Sequence, residues 1–203
     1  DAIETANEAF VKALALDNQV KPKTGMLGAQ EGQALLADEF LSMGFAAKDA
    51  GNTEKALKYF STAAKGYEIG KNTQGAAVAY FQEAIIHKEN NDRAKEKELM
   101  LKVIKNNSRS FAGAYIELYD IYKAENDTVN CEKIIKQAKN NIDPKLIKVL
   151  YDIELDYMTM LNDKAGLCAL CDSILAKTTF NEEGDTLLIA NCANYLTNMG
   201  ALN

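Results

Sequence analysis

A bulky apolar residue returns along this chain at Phe60, Met100, Ile135 and Cys171, at intervals of 35 to 40 residues. Around three of them a smaller or apolar residue stands four positions before and another three after: Ala56 and Ala63, Cys131 and Ala138, Leu167 and Ile174. Around Met100 only Val103 keeps the pattern, and Glu96 occupies the small position. Near the start Ala6, Phe10 and Ala13 match it with no partner helix before them. Steps of four and three put all three side chains on one face of an α-helix. A face that recurs at this interval belongs to a unit of two helices, which hides its apolar side against the next unit.

The expected helix before each of these carries its own signature, a bulky residue with a second core residue four later. The pairs are Phe40 and Gly44, Tyr80 and Ala84, Tyr115 and Tyr119, Tyr151 and Leu155, and Ile189 and Ala193. Between first and second helices lie short polar breaks at 51–52, 90–92, 126–127 and 162–163. Breaks of that length join antiparallel neighbours. Asp143 before Pro144 reads as an N-cap followed by the first helical residue. Period-two alternation is absent, so the expected fold class is all-α.

These residues resemble the tetratricopeptide repeat family. Residues 37–70 carry its motif in Phe40, Gly44, Gly51, Asn52, Ala56, Phe60 and Ala63. Residues 112–144 carry it in Tyr115, Leu118, Tyr122, Asn126, Ile135, Ala138, Asp143 and Pro144. Units 77–107 and 148–178 are degenerate, and 19–36 reads as an inserted segment. The resemblance implies one domain over 1–203, a right-handed α-α superhelix of about ten antiparallel helices. Residues 1–17 then read as a second helix without its first, 184–199 as a first helix, and 200–203 as the start of a turn. That phase fits either a piece of a longer array or end helices that act as caps.

Composition narrows the function classes. A net charge of −6 and a pI near 5.0 are poorly matched to a phosphate backbone, so nucleic acid is not an expected partner. The densest basic stretch, 93–105, is interleaved with Glu96 and Glu98, as on a solvated helix face. No apolar run approaches the roughly 20 residues a bilayer requires, so no membrane insertion is expected.

Chemistry has few footholds. His87 is the sole histidine, close to a helical packing position. Cys168 and Cys171 make a C-x-x-C pair, but within a helical pattern in which Cys171 fills the bulky slot. The carboxylate pairs Glu154–Asp156 and Glu182–Glu183 have no feature fixing a catalytic separation. Gly25, Gly28 and Gly32 are not followed by a Lys-Ser/Thr pair and make no phosphate loop. No enzyme activity, cofactor or metal is therefore expected.

A stack of such pairs implies a groove lined by first helices that takes a peptide or helix of a partner protein. On the matching face stand Leu41, Phe45 and Lys48, then Val78, Phe81, Ile85 and Lys88. Ile116, Asp120 and Lys123 follow, then Asp152 and Asp156, and last Asn194. The first half is apolar; the three aspartates of the second half favour a ligand bearing Lys or Arg. Leu41, Phe45 and Phe81 stand at or beside the positions where carboxylate-gripping members of the family carry Lys, Asn and Arg, so that clamp is not expected. Two other roles are open on this reading: an oligomerisation element, or an accessory role through the Cys168–Cys171 thiols.

Overall fold

The computed structural model describes residues 2, 4, 5, 8, 9, 12, 26–107, 109–178 and 183–201. Among the described residues the protein is helical, with no strand. It divides into two compact units, Asp1–Asn107 and Ser108–Asn203.

The first unit contains α1 (Met26–Asp49), α2 (Thr53–Ile69), α3 (Thr73–Glu89) and α4 (Arg93–Asn106), each packed against the next. The second contains α5 (Ala112–Ala124) and α6 (Thr128–Asn141), then a 3-10 segment at Pro144–Leu150 that runs into α7 (Tyr151–Met160). It ends with α8 (Lys164–Leu175) and α9 (Glu183–Asn198). Here α7 packs on α6, α8 and α9, and α8 on α9.

One turn is used five times. At each, a residue with positive φ ends one helix and the next residue caps the following one: Gly51–Asn52, Lys71–Asn72, Asn91–Asp92, Asn126–Asp127 and Asn162–Asp163. The N–H of the capping residue donates back five positions, as in Asn52 to the Ala47 carbonyl at 2.8 Å and Asp127 to the Tyr122 carbonyl at 2.9 Å. The same side chain then accepts the N–H three residues on, from Lys55, Gly75, Lys95, Asn130 and Gly166. A single residue thus closes a Schellman motif and opens the next helix, meeting orphaned carbonyls and amides together. Gly200, with φ of 60°, and the bond from Ala201 N–H to the Leu196 carbonyl end α9 in the same way. Four of the five turns lie at the expected breaks; the fifth, Lys71–Asn72, follows the end of unit 37–70 and puts the positive φ on a lysine rather than on Gly or Asn.

The recurring faces are buried as expected. Ala56, Phe60 and Ala63, Met100 and Val103, Cys131, Ile135 and Ala138, and Leu167, Cys171 and Ile174 all lie in the core. Glu96 is buried too, in its small-residue position, and accepts a bond from Arg93 Nη1 at 3.0 Å. The first-helix pairs from Phe40–Gly44 to Tyr151–Leu155 are likewise buried. Ala6, Phe10 and Ala13 lie outside the described residues.

Three expectations are refined. Of the segment 19–36, residues 26–36 are the opening turns of the 24-residue α1, which carries Gly28 and Gly32 inside it, and residues 19–25 lie outside the described residues. An isolated helix glycine costs only about 1 kcal/mol, which the rest of a long helix absorbs. Asp143 does cap a helix start, accepting the Lys145 N–H at 3.0 Å, but the seven residues from Pro144 are 3-10 before α7 begins. In α9 the buried pair is Leu188 and Cys192, one position before the expected Ile189 and Ala193. The run Leu187-Leu188-Ile189 offers three candidate faces, and packing on Tyr151, Leu155, Leu167 and Cys171 selects the one through Leu188.

Candidate binding faces

In the first unit α1 and α2 come together over a missing side chain. A Cβ at Gly44 would stand 2.6 Å from the Phe60 ring, so bulk on α2 fills the space that α1 leaves empty. Gly75 receives the Tyr67 ring in the same manner, and the Tyr67 hydroxyl donates to Asp38 at 2.5 Å. Burial, then that bond, raises the Tyr67 pKa.

This close seam decides what the expected apolar face can offer. Leu41 is drawn into packing with Ala56, Phe60 and Ile86. Phe45 meets Phe60 edge-on at 5.3 Å, yet remains 38% exposed. Val78, Phe81 and Ile85 are half-buried along α3, as is Lys88 near its end. Lys48 Nζ reaches Gln82 Oε1 at 3.5 Å and so ties α1 to α3, 34 positions away.

In the second unit the first-helix residues are joined by polar bonds at nearly the repeat interval. Asp156 on α7 accepts from the Tyr119 hydroxyl at 2.5 Å and from Lys123 Nζ at 2.7 Å, both on α5. The Lys123 pKa is raised by this hydrogen bond, and the Tyr119 pKa by burial and then the same carboxylate. Asp152 accepts from the Asn191 amide of α9 at 2.8 Å. Lys148 Nζ donates to Asp185 at 2.7 Å. Ile116 is half-buried, while Asp120 and Asn194 are exposed.

The three expected acids are therefore not equivalent. The charge of Asp156 is met by Lys123, and Asp120 also takes part in an interaction within the protein. Asp152 has only a neutral amide against it, and among the described residues no cation lies within ion-pair distance. Beside it opens a cavity of about 250 Å³ lined by Lys148, Val149, Asp152, Asp185, Leu187, Leu188 and Asn191. The sequence reading identified only Asp152 of this set. The signal that was present is the interval: Lys148 to Asp185 and Asp152 to Asn191 lie 37 and 39 residues apart, close to the repeat.

A second cavity, of about 150 Å³, lies between α6 and α7 beside Ile135, Lys139, Glu154 and Tyr157. Glu154 is buried, its Oε2 accepts from Lys139 Nζ at 2.7 Å, and its Oε1 has no hydrogen-bond partner among the described residues.

The residues weighed for chemistry fall elsewhere. His87 Nδ1 lies 3.2 Å from Asp92, the cap of α4. Cys171 sits in the α7–α8–α9 core with Cys192, its pKa pushed up to about 12 by burial first, so at neutral pH it is a protonated thiol. Cys168 is half-buried on α8. Among the described residues no three His, Cys, Asp or Glu side chains gather to hold a metal ion, and no helix is long and apolar enough to cross a membrane. No protein-family model and no curated protein matches this chain.

Proposed function

We propose that this chain is a non-enzymatic protein-interaction module. Within each unit its hairpins stack in the manner of tetratricopeptide repeats and present first-helix residues to a peptide or helix of a partner protein. The observation that carries this reading is the recurring linkage of first helices. Lys48 to Gln82, Tyr119 and Lys123 to Asp156, and Asp152 to Asn191 join residues 33 to 39 positions apart. Side chains that bridge alternate helices at the repeat interval align those helices along one surface. In the first unit that surface includes Phe45, 38% exposed, and the half-buried Val78, Phe81 and Ile85, apolar side chains of the kind that seat an amphipathic helix.

Peptides selected against the whole chain from a random displayed library test the reading. Phe45→Ala with Phe81→Ala is expected to weaken the selected peptides at least about fivefold, because each buried aromatic anchor is typically worth more than 1 kcal/mol. Unchanged affinity, with the far-UV circular dichroism of the wild type, would overturn it.

A further inference from the structure

The cavity beside Asp152 has a definite chemical character. Its walls are aliphatic, and two of them stand open to water: Val149 is 45% exposed and Leu187 63% exposed. Its interior charge is already balanced, since Asp185, 1% exposed, is held by Lys148 at 2.7 Å. Among the described lining residues the other charge is the Asp152 carboxylate, faced by the Asn191 amide. At about 250 Å³ it lies below the roughly 300 Å³ at which pockets for drug-sized ligands begin, so it suits one side chain.

Each feature selects among occupants. An anion would meet the carboxylate unfavourably. A purely aliphatic group would cover Val149 and Leu187 and leave Asp152 as it is. A group with an aliphatic stem and a cationic tip satisfies both, the stem on the walls and the tip at the rim. We propose that this cleft receives a long cationic side chain, lysine or arginine, of a partner polypeptide, with its stem on Val149 and Leu187 and its charge at Asp152. The inference rests on reading the first-helix surface as partner-binding, and names the chemistry read in the second unit.

The test uses the full chain with labelled valine and leucine methyls, and the N-acetyl methylamides of lysine, arginine, norleucine and glutamate as probes. Norleucine has the stem without the charge. Lysine or arginine amide is expected to shift the Val149 and Leu187 methyl signals saturably. Its affinity is expected to exceed that of norleucine amide by about two- to fivefold, the worth of an exposed ion pair. That preference is expected to vanish in Asp152→Asn, which keeps an oxygen for Asn191 and alters an exposed site, and to fall with added salt. Equal affinity of lysine and norleucine amides, tighter glutamate binding, or a preference that survives in Asp152→Asn would each overturn the proposal, as would methyl signals that do not move. Failure here with aromatic-dependent peptide capture intact removes the cleft alone. Loss of that capture with the methyl shifts intact removes the first-unit reading and leaves the cleft.

Discussion

The two units solve the same packing problem with opposite materials. In the first, helices approach over residues with almost no side chain. Gly44, Ala56, Ala63, Ala64, Gly75, Ala76, Ala77 and Ala84 line the seams, and single rings from Phe60 and Tyr67 plug the gaps. In the second, the positions that correspond to Gly44 and Ala84 hold Tyr119 and Leu155. Charged and polar pairs join the elements there: Lys123–Asp156, Lys139–Glu154, Lys148–Asp185 and Asn191–Asp152. One unit has its tolerance set by backbone approach, the other by side-chain volume. The turn that joins the helices is common to both, so local capping fixes where helices end while seam residues fix how closely they lie.

The contrast is broken most directly by changing size at equivalent positions, four residues after the bulky residue of a first helix. In the second unit Leu155→Ala should destabilise by about 2–5 kcal/mol, because it opens a cavity among Tyr151, Leu167 and Cys171. In the first unit the opposite change is the damaging one. Gly44→Ala drives a methyl into the Phe60 ring and should cost about 1–3 kcal/mol, since the ring has core on its other sides. Urea unfolding measures both totals. Amide exchange read by peptide should place the Leu155→Ala loss in α7–α9 and the Gly44→Ala loss in α1–α2. If Gly44→Ala proves neutral, the close seam is not what holds the first unit.

Much of the core was legible because helical packing leaves periodic traces. The small–bulky–small faces from Ala56 to Ile174 are read directly from spacing, and the buried state of each follows from it. What escaped lacked a local signal. Lys71 adopts φ of 56° with neither Gly nor Asn to announce it; the hydrogen bonds from Lys71 and Asn72 to Glu68 and Tyr67 impose it. The face of α9 depended on which of three adjacent aliphatics met α7 and α8, a tertiary choice. For the candidate surfaces, spacing located Phe45, Phe81 and Asp152 on first helices, but not which charges are neutralised internally. Asp156 and Asp152 look alike in sequence. They differ because Lys123 and the Tyr119 hydroxyl face one and the Asn191 amide the other.

The smallest expected effect concerns a buried acid of the first unit. Among the described residues four acids are buried, and Glu96, Glu154 and Asp185 each have a cation within 3.0 Å. Glu83 on α3 has none within ion-pair distance among the described residues; His87, Lys95, Lys102 and Lys65 act on it from further away. Burial dominates those cations and raises its pKa above the ordinary 4.5. A raised pKa means the folded chain holds the proton more tightly than the unfolded chain. The stability this group contributes is therefore complete below pH 4.5 and is lost as pH rises through the folded value. Glu83→Gln mimics the protonated form at every pH. The variant should be more stable than wild type at neutral pH, with the gap narrowing as pH falls through the raised folded pKa and gone below 4.5. Urea midpoints of both proteins across that range measure it. A gap independent of pH would mean that the substitution acts through packing, and would place Glu83 with the paired acids.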